Sequence, residues 1–118
     1  MSSDDALLEL RDRLRRFAAE RDWHQFHAPK NLAIALSVEA AELLEHFQWV
    51  GEDASRRLAT EEIAPIREEL ADVLLYLVRL ADELGVDLIA SAQDKIEANA
   101  RKYPIEKARG TSRKYTDL

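Results

Sequence analysis

Apolar residues recur along this chain at intervals of three and four, which is the spacing of one face of an α-helix. The longest such stripe consists of Ile63, Ile66, Leu70, Val73, Leu77, Leu80 and Leu84. Alternating steps of three and four are also the spacing of a seam between antiparallel helices. We therefore predict a helix that starts within residues 61–65, ends at Gly85 and packs lengthwise on another helix.

Two further segments have a similar periodicity and predict helices over residues 4–21 and 87–103, and an apolar run between Pro29 and Gly51 predicts a helix over residues 29–49. Pro29 suits the first turn of the second helix, and Asp87 is a good N-cap for the last one. Gly51 and Pro104 mark helix ends. The pattern predicts an all-α fold, a four-helix bundle, with a helical domain over residues 1–104 and a polar C-terminal tail over residues 105–118.

Composition supports this fold and excludes several functions. The 118 residues are 47% apolar and include three glycines, three prolines and no cysteine, so disulfides and thiolate metal sites are excluded. The net charge of −6 argues against binding a nucleic acid polymer. Neither a signal peptide nor a membrane-spanning run is evident, so we expect no membrane partner and a cytoplasmic location. So small a bundle has a thin core, which favours a homo-oligomer.

Two pairs of carboxylates lie inside apolar helical runs. Glu39 and Glu42 are three residues apart on the second predicted helix, as are Glu69 and Asp72 on the third, so each pair shares a face. Such pairs are often only a solvated helix face. Carboxylates in apolar surroundings are costly unless they are paired or bind a metal, however. Two facing pairs would make an all-oxygen cage suited to magnesium.

Aromatic residues flank these acidic pairs and suggest a pocket for a nucleobase. They are Trp23, Phe26 and His27 before the second helix, Trp49 at its end, and Tyr76 one turn after Asp72. Aromatic faces stack on bases, although core packing is the commoner role of a single tryptophan. The grouping around the acidic pairs favours base binding for Trp23 and Trp49.

Other polar residues offer further chemistry. Glu45 extends the first acidic pair by three residues, so it is a further metal ligand, a group that orients water, or a surface glutamate. Lys95, Asn99 and Lys102 share one face of the last helix and could hold phosphate oxygens. Taken singly, each lysine is more commonly a plain surface residue.

These residues together resemble the all-α nucleoside triphosphate pyrophosphatase superfamily, which includes the MazG proteins and the dimeric dUTPases. The motifs are EAAE at 39–42, EELAD at 68–72 and KIEANARKYP at 95–104. Within the superfamily the chain is most similar to the dCTP-hydrolysing members. The segments AAERDWHQFHAPKNL, ELLEHFQW and SRKYTDL carry that closer similarity, which covers nearly the whole chain.

The resemblance implies a magnesium-dependent hydrolase that cleans the nucleotide pool by splitting a nucleoside triphosphate, above all dCTP or a modified form of it, into monophosphate and pyrophosphate. It implies metal binding by Glu39, Glu42, Glu69 and Asp72. From the residues themselves we expect Glu42, Glu45 and Asp72 to be catalytic, with Glu45 orienting the attacking water. The resemblance also implies substrate contacts from Trp23, His24, Gln25, Phe26, His27, Trp49 and Tyr76, and assembly into a homotetramer or homodimer. Relatives carry a substrate-contacting histidine where Leu14 stands, so the preferred base is left open.

Two other classes of protein share part of this pattern. A carboxylate-bridged di-iron bundle needs Glu-x-x-His on two helices, and here Glu45 follows Glu42 at the position of that histidine, with His46 one residue later. A non-enzymatic helical interaction module would explain the apolar stripe. It would not explain four carboxylates in apolar surroundings.

Overall fold

A computed structural model describes the backbone of residues 3–118 and the side chains of residues 5–118, so Met1 and Ser2 of the predicted helical domain lie outside the described residues. The described chain contains six α-helices and two short 3₁₀ turns, without a β-strand. The helices are α1 Ser3–Glu20, α2 Pro29–Glu45, α3 Glu52–Ser55, α4 Thr60–Leu84, α5 Leu88–Lys102 and α6 Ile105–Ala108, and the turns are His24–Phe26 and Tyr115–Asp117. The predicted all-α fold is confirmed.

The chain divides into two compact units, residues 1–86 and residues 87–118. The predicted division into a helical domain over residues 1–104 and a tail stays a prediction. Helices α1 to α4 belong to the first unit, and α5 and α6 to the second. No described helix is both long enough and apolar enough to cross a membrane.

Helix α4 is the central element of the first unit, because it packs on both α2 and α1. His27, before α2, contacts Arg79 near the end of α4, whereas His46, after α2, lies near Glu69 in its middle. Helices α2 and α4 therefore run antiparallel, as predicted. Among the described residues of this unit, the buried ones are Ala18, Leu32, Ile66, Val78, Arg79 and Ala81.

The predicted seam along α4 is wrong in part. Ile66 is buried, but Leu70 and Leu84 of the same stripe are 54% and 57% exposed, and Val78 and Ala81 are buried in their place. Helix α4 carries apolar residues on more than one face, so periodicity alone could not say which face meets α1 and α2.

Helix boundaries differ from the prediction at α2 and α4. Helix α2 ends at Glu45 rather than reaching Trp49, because the next backbone amides bond three residues back, as in Phe47 N–H to the Leu44 carbonyl at 2.9 Å. Helix α4 begins at Thr60, one residue before the predicted window, where the Ala59 N–H donates to the Glu62 carboxylate at 3.1 Å. The predicted N-cap of α5 is confirmed, since the Ala90 N–H donates to Asp87 Oδ1 at 3.0 Å.

The end of α1 orients the segment that follows it. The Trp23 N–H donates to the Ala18 carbonyl at 2.9 Å and the Asp22 N–H to the Ala19 carbonyl at 3.1 Å, which is the Schellman pattern. That pattern needs a left-handed residue, and Asp22 takes it with φ of 54°. Aspartate tolerates this conformation better than most residues with a β-carbon. The chain therefore turns sharply at Asp22, immediately before Trp23.

Candidate active site

Carboxylates of α2 and α4 meet between the two helices. Glu39, Glu69 and Asp72 each present an oxygen, and these three oxygens lie within 4.8 Å of one another. Glu42 is close enough to Glu39 to raise the pKa of the Glu39 carboxyl. The antiparallel pairing thus brings the two predicted acidic pairs together, and we call Glu39, Glu69 and Asp72 the carboxylate cage.

Two buried carboxylate oxygens of the cage are not paired with another described group of the protein. Glu39 Oε2 and Glu69 Oε2 are buried and have no hydrogen-bond partner among the described residues. Burial and the neighbouring carboxyls of Glu42, Asp72 and Glu69 raise the pKa of Glu39 to about 7. Buried anions without partners are costly, and a hard divalent cation is the partner that oxygen ligands suit. The donor set therefore fits a metal ion.

His46, the residue that follows α2, borders the cage. His46 Nε2 lies 3.9 Å from Glu69 Oε1, a proximity that the sequence analysis missed because it tested histidine spacing along α2 alone. Glu45, the last residue of α2, is exposed. Whether Glu45 orients water stays a prediction.

A cavity of about 150 Å³ lies within the first unit, between α1, the turn after it and α4. Its walls are formed by Leu14, Phe17, Ala18, Trp23, His27, Asp72, Leu75, Tyr76 and Arg79. Asp72 belongs to both this cavity and the carboxylate cage. A ligand in the cavity would therefore reach a metal held by the cage.

The segment after α1 contributes its two ends to the cavity. Trp23 packs edge-to-face on Phe17 and on His27, with ring centroids 5.6 and 6.4 Å apart. His24, Gln25 and Phe26 form the 3₁₀ turn between them, and all three are exposed and absent from the cavity wall. Gln25 bonds locally, its amide donating to the Asp22 carbonyl at 3.0 Å.

Arg79 is a cavity residue that the sequence analysis did not identify. Its guanidinium donates to Asp82 at 3.2 Å and to Glu83 at 2.6 Å, and lies 3.4 Å from His27 Nδ1. Arg15 of α1 donates to the same Asp82 carboxylate at 2.7 Å, which holds the pKa of Asp82 below its usual value. An arginine followed by acids at i+3 and i+4 was the available signal, but that spacing is typical of surface pairs.

Residues 34–118 match the family model described as MazG-like. The chain belongs to the MazG-like family. It is 47% identical to human dCTP pyrophosphatase 1 and 44% identical to the bovine protein of that name, each over 99% of this chain and 70% of the relative. A crystal structure of a pyrophosphatase from Archaeoglobus fulgidus is 43% identical and superposes with a TM-score of 0.79, covering 84% of this chain and 93% of that one.

Three further predicted site residues of this MazG-like chain lie on α5, in the second unit. Lys95, Asn99 and Lys102 are all exposed. Lys102 Nζ lies 5.0 Å from the centroid of the Tyr115 ring, within range of a cation–π contact. Phosphate binding by these residues stays a prediction.

Tyr76 and Trp49, the other two aromatic residues predicted to contact the substrate, differ in their burial. Tyr76 is half-buried in the cavity wall. Trp49 lies outside that wall and is 89% exposed, so it is not a core residue of this chain. A role for Trp49 in base binding stays a prediction.

The raised pKa of Glu39 predicts the pH dependence of metal-free stability. Between about pH 4.5 and 7 the native chain keeps a proton on Glu39 that the unfolded chain releases, so its free energy of unfolding falls as pH rises through this range. Denaturant unfolding in EDTA at several pH values measures the slope. We expect a shallower slope for Glu39→Gln and an unchanged slope for the control Glu68→Gln, whose side chain is exposed on α4. Equal slopes in Glu39→Gln and the parent chain would contradict this assignment.

Proposed function

We propose that this chain is a magnesium-dependent pyrophosphatase that hydrolyses dCTP or a modified dCTP to the monophosphate and pyrophosphate. The observation that carries the proposal is the joint position of Asp72, in the wall of an aromatic cavity and in a cage of uncompensated carboxylates. The dCTP pyrophosphatases at 44–47% identity support a cytosine nucleotide as substrate. In this proposal the protein acts in the cytoplasm and removes unwanted nucleotides from the pool.

Charge explains why the site would need a metal. The substrate is a polyanion and the chain has a net charge of −6, so direct binding of the triphosphate to the cage is repulsive. Glu39, Glu42, Glu69 and Asp72 would hold magnesium, as the family resemblance implies. Bound there, the ion would supply positive charge to the phosphate oxygens and favour ionisation of water.

The chain's own residues divide the remaining work. Trp23 offers an aromatic face to the base, and Tyr76 lies one helical turn from Asp72. Glu45 orients a water toward the α-phosphorus, so that the leaving group is pyrophosphate. Lys95, Asn99 and Lys102 are assigned to the departing phosphates, and Trp49 to the base.

Loss of one cage carboxylate should remove turnover. We expect Asp72→Asn to lower kcat roughly a thousandfold or more, because each metal ligand is worth about 4 kcal/mol or more of transition-state stabilisation. Pyrophosphate release over a panel of nucleoside triphosphates measures the effect. The control Glu68→Gln changes an exposed carboxylate of the same helix and should keep full activity.

The position of the label after hydrolysis in ¹⁸O-water decides which bond breaks. Label in the monophosphate supports attack at the α-phosphorus. Label in pyrophosphate, or release of single phosphate, would refute the proposed reaction. Iron in the purified protein, with a visible absorption band, would instead support the di-iron alternative.

Exposed apolar surface supports the proposal of a homodimer or homotetramer. On α4, Leu70, Leu74 and Leu77 are 54%, 42% and 37% exposed, and Trp49 is 89% exposed. A second copy of the chain is the occupant that would bury this surface symmetrically. Light scattering should give a mass two or four times the 13.5 kDa of one chain, and Leu70→Glu should lower this mass. A parent chain that is monomeric at working concentration would refute the assembly.

A further inference from the structure

Arg79 is the charged side chain that the first unit buries most completely among its described residues, at 4% exposure. It lines the cavity, yet it has no place in the metal chemistry proposed above. An arginine is rarely buried unless its donors are all used. A buried arginine in the cavity wall therefore has a role other than metal binding.

The contacts of Arg79 determine the state of the neighbouring imidazole. Both Nε and Nη2 of Arg79 lie 3.4 Å from His27 Nδ1. A guanidinium only donates hydrogen bonds, so Nδ1 must be the acceptor in this contact. A neutral His27 then carries its proton on Nε2, which has no hydrogen-bond partner among the described residues.

A chain of ion pairs holds the guanidinium in this place. Asp82 and Glu83 accept from Arg79, and Asp82 also accepts from Arg15 on α1. Two cations and two anions thus balance, and movement of Arg79 away from His27 would break two charged hydrogen bonds. The network joins α1, α4 and the segment before α2 at the cavity wall.

The charges around His27 favour its neutral form. Burial lowers the pKa of His27, and the Arg79 guanidinium and His24 lower it further, whereas Glu83 acts in the opposite direction. Of the other residues in the cavity wall, Leu14, Phe17, Ala18 and Leu75 are apolar, Trp23 and Tyr76 are uncharged, and Asp72 is an acid. An uncharged N–H in such a wall can recognise an acceptor atom without binding anions indiscriminately.

We propose that Arg79 is a positioning residue that keeps His27 as the neutral Nε2–H tautomer, so that this imidazole offers an uncharged donor to an acceptor atom of the nucleobase. The identity of the occupant rests on the proposed function. The tautomer and its cause rest on the geometry alone.

Nitrogen-15 NMR of the imidazoles tests the proposal in the full chain. His24 and His46 are the other two histidines and serve as internal references. At pH 7 we expect His27 to show a protonated Nε2 and an unprotonated Nδ1. In Arg79→Met, which keeps much of the side-chain volume, we expect mixed tautomers and a higher His27 pKa. The control Arg67→Met, at an exposed arginine of α4, should leave the His27 spectrum unchanged.

Kinetics provide the second readout. Arg79→Met should raise KM for dCTP roughly three- to tenfold, the cost of one misplaced hydrogen bond, with little change in kcat. Arg79→Lys, which keeps a cationic donor but loses the fork, should restore the low His27 pKa and much of the preference for the Nε2–H tautomer. An unchanged KM together with mixed tautomers in Arg79→Met would overturn the recognition role.

The imidazole spectrum of the parent chain tests the proposed His27 tautomer even if the Arg79 variants fail to fold. A parent His27 with its proton on Nδ1, or one that is charged at pH 7, would overturn the inference. Failure of the proposed function appears separately, as the absence of hydrolysis of any nucleoside triphosphate by the parent chain with magnesium.

Discussion

Carboxylates of α2 and α4 repel one another at the point where the two helices pack, and the site is built around this repulsion. Apolar packing draws the two helices together, and their antiparallel alignment places Glu39, Glu69 and Asp72 around one point. Two of their oxygens are buried without partners. The fold thus keeps an arrangement that opposes its own stability, which is typical of sites where a ligand supplies the missing charge.

A second ionic group in the same unit, centred on the buried Arg79, provides the contrast. Arg15, Arg79, Asp82 and Glu83 form a closed network in which each charge has a partner. That network needs no ligand and can serve as a rigid support for His27. Among the described residues, no arginine or lysine forms an ion pair with the carboxylate cage, and the only basic side chain that contacts it is His46, 3.9 Å from Glu69, so the charge balance of the cage depends on what binds. The cavity lies between the balanced group and the unbalanced one, with Arg79 and Asp72 in its wall.

The sequence was sufficient for features that local spacing determines. The acidic pairs could be found because both lie inside apolar helical runs, and the N-cap at Asp87 because its signal is local. The end of α2 was predicted at the wrong residue, because the turn from His46 to Val50 is formed by backbone hydrogen bonds that no residue type in the sequence indicates. The prediction of which face of α4 is buried was partly wrong, because several faces of this helix carry apolar residues.

Long-range contacts were beyond the reach of sequence patterns. The contact of Arg79 with His27 spans 52 residues, and the spacing of Arg79 to Asp82 and Glu83 gave no hint of it. The tryptophans differ for a similar reason. Trp23 is placed by the tight turn at Asp22, whereas Trp49 follows a helix end that was predicted four residues too late.

Anomalous diffraction from crystals grown with Mn²⁺, an ion that shares the oxygen preference of magnesium, shows whether the carboxylate cage binds a divalent cation. We expect a peak at bonding distance from carboxylate oxygens of Glu39, Glu69 and Asp72, which disappears in crystals of Asp72→Asn. A well-ordered cage without a peak, or Mn²⁺ bound only at exposed acidic residues elsewhere, would contradict this expectation.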